Sequence, residues 1–267
     1  MTPPGLRACH ALVTPTSYAR HDPPSRAEPE TAAGKVVYNA ARRGLALDLD
    51  GTLMDSMDFH AEAWRQAFAA YGLNAPVEWF YLWEGIIGPE VVPMALERLG
   101  AALAPGDADG VYRQKQAYFN AAFRPQAMPG ADTLRRTLDS LGYATAVVTG
   151  SEHATAVRML AAVNFDNVTT VVGSDDVRRG KPAPDPYLLA AERLGTPPAH
   201  MLALENAPEG IKSARAAGML CVAVATTLSP ADLRAADHIV PDLPAFAALL
   251  EAERARSGGA GPWLLDG

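Results

Sequence analysis

Between residues 44 and 254, short apolar runs alternate with longer stretches whose apolar residues recur every three or four positions. Six runs read as strands: 44–50, 144–150, 168–174, 200–206, 220–225 and 238–242. They are rich in Val, Ala and Leu and mostly lack polar alternation, as strands buried on both faces do. Helical spacing predicts helices over 131–141, 152–163, 184–194, 208–217, 230–236 and 243–254. Gly142, Gly195 and Gly218 stand behind three of these as C-terminal stops. Such alternation predicts an α/β fold, a doubly wound parallel sheet with right-handed crossovers.

Residues 56–129 break the alternation. No strand pattern occurs there, and 56–73, 89–101 and 110–123 read as helices, with Phe59, Ala63, Ala67 and Ala70 at helical spacing in the first. An insertion of this length after the first strand predicts a small all-helical cap, and Pro129-Gly130 marks the return. The expected domains are a core of 44–55 and 130–255, a cap of 56–129 and a loose C-terminal tail of 256–267. Residues 1–43 are rich in Pro, Ala, Thr and Ser without sustained periodicity and read as a disordered extension. Arg7, Arg20 and Arg26 there are matched by Asp22, Glu28 and Glu30, unlike an acid-poor transit peptide. A cytoplasmic location is expected, with organellar targeting as the alternative.

Composition narrows the function classes. The chain has 267 residues, 49% hydrophobic, enough to bury a substantial core. A net charge of -7 and a pI of about 5.4 argue against non-specific nucleic-acid binding, which relies on Lys and Arg. A locally positive pocket for a small anion remains compatible with that charge. Cys9 and Cys221 have no metal-type spacing and give no disulfide framework, which suits a reducing compartment. No apolar run approaches the ~18–20 residues that span a bilayer. Neither nucleic acid nor membrane is expected as a partner, and the choice between monomer and dimer stays open.

In open α/β sheets, ligands bind beyond the carboxyl ends of the strands. The first strand ends in Asp48-Leu49-Asp50-Gly51-Thr52. Strand residues two apart point the same way. Paired carboxylates there suit phosphoryl transfer through an aspartyl-phosphate: one attacks phosphorus, the other protonates the leaving oxygen and then activates water. The alternative is a plain Asp-Gly turn. The second strand ends in Thr149-Gly150-Ser151, where a hydroxyl and free N–H groups at a helix start make an anion site. The alternative is a serine N-cap. Lys181 stands in "GKPAPDP", whose prolines would hold its ammonium in place; the alternative is a solvated lysine. The fourth strand ends in Glu205-Asn206, oxygen donors that suit a hard cation such as Mg2+. Asn206 could instead cap the next helix.

Together these four stretches resemble the haloacid dehalogenase-like hydrolases from about residue 44 to 250. The resemblance implies Asp48 as nucleophile and Asp50 as acid/base, with Thr149 and Lys181 completing the catalytic set. It implies Gly150 and Ser151 at the phosphate. It implies Mg2+ held by the Asp48 carboxylate, the Asp50 backbone carbonyl and the acidic motif of Glu205 and Asn206. "DFHAEAWRQAF", with His60, resembles the cap helix of the β-phosphoglucomutase-like branch, and the insertion looks like a C1-type cap. His60, and Lys115 in "YRQKQAYF", are candidates for substrate contact.

Two departures matter. The branch usually has Glu-Asp-Ser where this chain has Glu205-Asn206-Ala207, so the metal site loses one negative charge. Gly88 stands where the mutase carries a base for a second phosphate. The implied function is a Mg2+-dependent phosphatase acting on a small phosphorylated metabolite, by default a sugar phosphate. The alternatives are a β-phosphoglucomutase-like mutase and a catalytically degenerate phospho-ligand-binding module.

Overall fold

The computed structural model describes Asn39, residues 43–165 and 167–259, Pro262 and Trp263. Six strands, β1 (Gly44–Leu47), β2 (Ala144–Val148), β3 (Thr170–Val172), β4 (Met201–Glu205), β5 (Leu220–Val224) and β6 (His238–Val240), form one sheet. Their order is β3-β2-β1-β4-β5-β6, and every neighbouring pair is parallel. The core helices are α5 (Ala131–Leu141), α6 (His153–Ala162), α7 (Asp185–Leu194), α8 (Pro208–Ala216) and α9 (Leu243–Ser257). The four helices of the cap are α1 (Met57–Ala69), α2 (Glu78–Leu82), α3 (Gly88–Leu99) and α4 (Asp107–Ala122).

The buried runs explain the two-sided winding. Leu45 and Leu47 point to one face, packed with Leu134 of α5, Met159 of α6 and Phe246 of α9. Ala46, between them, points to the other face, with Tyr187 of α7 and Ile211 of α8. Leu45, Leu47, Leu202 and Leu204 are fully buried, and each such side chain contributes about 2 kcal/mol through the area it removes from water. The cap has its own cluster, in which Trp64 and Phe68 of α1 stack on Phe80 of α2.

Winding starts at β1, runs out through β2 to β3, then returns to β4 on the opposite side of β1. The chain therefore reverses direction of travel between β1 and β4, the place where such sheets open a crevice. Both connections to the cap leave from there, side by side. Asp55 N–H donates to the Gln126 carbonyl at 2.9 Å and Met128 N–H to the Leu53 carbonyl at 2.9 Å.

Four features differ from the sequence reading. Residues 230–236 form turns rather than a helix. Their backbone bonds span three residues, Ser229 to Asp232 and Pro230 to Leu233, and the buried Leu233 anchors the segment. Helix α2 went unread because its five residues are too short to show a period. The tail expected to be loose holds a buried Trp263, whose indole N–H donates to the His200 carbonyl at 3.0 Å. Arg43 lies over that ring and pairs with Glu253 at 3.0 Å, so the last residue of the expected extension belongs to the core. The remainder of residues 1–43, apart from Asn39, lies outside the described residues. Among the described residues, no helix is long and apolar enough to cross a membrane.

Candidate active site

Asp48 and Asp50 follow β1 at the crevice, and both are buried. Asp48 is fixed by its own backbone, whose N–H donates to the Leu204 carbonyl of β4 at 2.9 Å. Gly51 then turns the chain at φ +79; a Cβ there would lie 2.2 Å from Nδ2 of Asn206, so only glycine fits.

The two carboxylates have different surroundings. Asp48 Oδ1 accepts from the Lys181 ammonium at 2.6 Å, while its Oδ2 is buried without a hydrogen-bond partner among the described residues. Asp50 is fully engaged. Its Oδ1 meets Ser56 Oγ at 2.6 Å and His60 Nε2 at 3.2 Å, and its Oδ2 accepts from Thr149 Oγ at 3.2 Å and Ser151 Oγ at 3.1 Å.

Proton affinities follow. Burial pushes the Asp48 carboxyl up to about 7; Lys181 opposes this and Glu205 adds to it. Burial also works to raise Asp50, but His60, Ser56 and Ser151 outweigh it and hold that carboxyl below the usual carboxylate range. The two buried carboxyls thus move in opposite directions, the proton affinity of Asp48 raised and that of Asp50 lowered.

Lys181 is buried and tightly held. Its ammonium meets Asp48 at 2.6 Å and Glu205 at 2.7 Å, and donates to the Val148 carbonyl at 3.2 Å. Burial disfavours its charge, yet Asp48, Glu205 and Glu84 together raise it above the ordinary lysine range. It is not a solvated lysine. Glu205 Oε1 also accepts from the Tyr187 hydroxyl, and its Oε2 accepts from the Asn206 N–H at 3.3 Å. Glu205 therefore braces Lys181. Asn206 donates through Nδ2 to Thr227 Oγ at 3.1 Å, and its buried Oδ1 has no hydrogen-bond partner among the described residues.

Gly150 allows the cap to approach, because a Cβ there would stand 3.0 Å from the Gly85 carbonyl. His60 and Lys115 come together on the cap: the lysine Nζ lies 2.8 Å from His60 Nδ1 and over the rings of Trp64 and Phe119. Burial, then Lys115, lowers the His60 imidazole below its ordinary value. A cavity of about 280 Å3 opens between these residues, lined by Asp50, His60, Glu84, Lys115 and Ser151 among others.

Sequence reasoning missed Ser56, Glu84 and Tyr187. Ser56 lies six residues beyond Asp50, and Tyr187 reads as an ordinary apolar helix position. Glu84 carries no spacing signal at all. One oxygen each from Asp48, Glu84 and Glu205 lies within 4.8 Å of the others, an acidic cluster dense enough for a divalent cation. The chemistry of the donor set agrees: Asp48 Oδ2 and Asn206 Oδ1 are buried oxygens with no hydrogen-bond partner among the described residues.

Residues 43–218 match the family described as haloacid dehalogenase-like hydrolase. Protein CbbY of Rhodobacter capsulatus is 31% identical over 220 residues, 77% of this chain and 95% of that protein. Fructose-1-phosphate phosphatase YqaB of Escherichia coli K12 is 33% identical over 189 residues, 68% of this chain and 95% of that protein. A hydrolase from Pseudomonas syringae superposes with a TM-score of 0.72 at 25% identity, covering 79% of this chain and 99% of its own. These likenesses set aside the degenerate binding module that the sequence left open. The chain belongs to the haloacid dehalogenase-like hydrolases and is a phosphatase of a small phosphorylated metabolite.

Proposed function

We propose that this phosphatase hydrolyses a sugar or polyol monophosphate through an aspartyl-phosphate on Asp48. The supporting observation is the contrast between the two aspartates: among the described residues, Asp48 Oδ2 has no hydrogen-bond partner, whereas both oxygens of Asp50 have one. Asp48 Oδ2 attacks phosphorus, a P–O bond forms, and the ester P–O bond breaks. Asp50 gives its proton to the leaving oxygen and later takes one from the attacking water, which returns Asp48 as a carboxylate and releases phosphate.

Thr149 and Ser151 make the change of proton affinity intelligible. Their hydroxyls now donate to Asp50. Turning them to the phosphoryl oxygens would remove two of the contacts that keep Asp50 ionised, so substrate arrival would raise its proton affinity. Lys181 offsets charge at the nucleophile, and most of the rate comes from positioning and charge compensation. Asp48 Oδ2, Asn206 Oδ1 and the Asp50 backbone carbonyl are the oxygens that would hold Mg2+. That cation would supply charge neutralisation for the incoming phosphate. Of the two residues in the acidic motif, Asn206 suits this better, because Glu205 is engaged by Lys181 and Tyr187.

The mutase alternative needs a base near Gly88. A Cβ at Gly88 would lie 2.0 Å from the Tyr112 ring, so any side chain there requires that ring to move. A sugar phosphate is favoured by the likeness to a fructose-1-phosphate phosphatase. The test is a rapid acid quench with 32P-labelled substrate. The wild type should trap label on protein and Asp48→Asn should trap none. Equal label in both proteins, or full p-nitrophenyl phosphate turnover by Asp48→Asn, would remove the mechanism.

A further inference from the structure

Lys115 carries an amine that the hydrolysis set out above does not use as a nucleophile. It lies on α4, is 9% exposed and lines the same cavity as Asp50 and Ser151. A lysine so buried is usually paired with a carboxylate. Among the described residues Lys115 has no carboxylate at ion-pair distance. Its Nζ instead meets His60 Nδ1 at 2.8 Å and lies 5.4 Å from the centre of the Trp64 ring and 5.0 Å from that of Phe119.

An imidazole and two ring faces support a buried charge less well than a carboxylate does. Burial accordingly pushes the ammonium down to about 8, with Asp50 opposing. A fraction of this lysine therefore carries a free lone pair at neutral pH, as an amine that attacks carbonyls must. The other described lysines differ. Lys181 is gripped by Asp48 and Glu205 and is raised above the ordinary lysine range. Lys212 is exposed and paired with Glu209.

Position adds a second argument. One imidazole ring separates the Lys115 amine from Asp50, whose Oδ1 lies 3.2 Å from His60 Nε2. A phosphate ester that places its bridging oxygen at Asp50 brings atoms a few bonds further on within reach of that amine. Trp64, Phe80 and Phe119 also line the cavity and keep water from the place where a C=N bond would form.

We propose that Lys115 is a covalent capture site for phosphate esters that carry an aldehyde or ketone a few bonds from the ester oxygen. Nζ forms a bond to the carbonyl carbon, the carbon–oxygen bonds break, and both amine hydrogens leave with the oxygen as water. An imine remains, and no oxidant or reductant is consumed. The adduct draws Lys115 away from His60 and fills the cavity, so it blocks hydrolysis until water reverses it. The inference rests on the placement of the phosphoryl group in the hydrolytic reading above and adds a class of ligand to it.

The test uses pyridoxal 5′-phosphate, an aldehyde that is also a phosphomonoester, in excess over the full chain with Mg2+ at neutral pH. Sodium cyanoborohydride fixes the imine, and mass mapping of peptides locates it among the four lysines of the chain, Lys35, Lys115, Lys181 and Lys212. Wild type should carry a single label, on Lys115, and its turnover of p-nitrophenyl phosphate should fall in step with labelling. Pyridoxal, which lacks the phosphate, should label Lys115 at least about tenfold more slowly, and saturating inorganic phosphate should slow the phosphorylated probe by a similar factor. Lys115→Arg keeps the charge and should stay unlabelled. Label on Lys35 or Lys212 in place of Lys115, or labelling of Lys115 that inorganic phosphate leaves unchanged, overturns the proposal. The wild-type map decides by itself if the variant fails to fold. Turnover of p-nitrophenyl phosphate before labelling reports hydrolysis alone. Wild type inactive on it would sink the hydrolytic reading, whereas an active enzyme that takes no label at Lys115 sinks only the capture site.

Discussion

Lys115 of α4 places its ammonium 2.8 Å from Nδ1 of His60 on α1, and Nε2 of the same ring lies 3.2 Å from Asp50 Oδ1. An ammonium can only donate, so Nδ1 must accept and the ring proton sits on Nε2, facing Asp50. Lys115 thereby sets the tautomer of a residue that helps to hold the proposed acid/base. Lys115→Met keeps the stem over Trp64 and Phe119 and removes the donor. We expect kcat on p-nitrophenyl phosphate to fall by about 10- to 100-fold with the circular dichroism spectrum unchanged. A wild-type kcat in this variant would show that the tautomer does not matter to catalysis.

The same lysine predicts a pH dependence of stability. Burial pushes it from the ordinary 10.5 down to about 8, with Asp50 opposing. Between these values the unfolded chain holds the proton and the folded chain does not, so this contribution to stability increases as pH rises. The wild type should therefore gain up to about 3 kcal/mol relative to Lys115→Met between pH 8 and pH 10.5. Urea midpoints across that window measure it. Parallel curves for the two proteins would contradict the expectation.

Gly88→Arg tests whether the missing base can be restored. Gly88 lies under Tyr112, with the ring 2.0 Å from where a Cβ would be. Overpacking of this kind costs about 1–3 kcal/mol. The variant should melt several degrees lower and should not isomerise β-glucose 1-phosphate. Mutase activity at an unchanged melting temperature would mean that Tyr112 yields freely and that the position is open after all.

The core was legible because its signals are local. Apolar runs that end in Asp48, Thr149 and Glu205 mark strands and their carboxyl ends, and the sheet order then brings those ends together. Lys181 was legible through its prolines. Glu84 was not, because its place beside Asp48 is created by the fold of the cap, across sequence distance and without periodicity. The pairing of His60 with Lys115 was hidden for the same reason: they lie on different helices, 55 residues apart. Residues 230–236 misled because alanine and leucine spacing resembles a helix even where the bonds close after three residues.

Asn206 offers the last test. Its Nδ2 is committed to Thr227, and its buried Oδ1, like Asp48 Oδ2, has no hydrogen-bond partner among the described residues. Asn206→Asp removes the donor to Thr227 and adds a carboxylate to an already acidic pocket. Without metal, the variant should lose about 1–3 kcal/mol of stability, because a buried charge gains no partner. With Mg2+ present, the added charge should strengthen binding, and the melting-temperature gain on saturation should exceed that of wild type. Calorimetric titration of Mg2+ into both proteins should show binding about tenfold tighter in the variant. Equal affinities would mean that the Asn206 oxygen does not face the cation, and that the metal is held by other oxygens of the site.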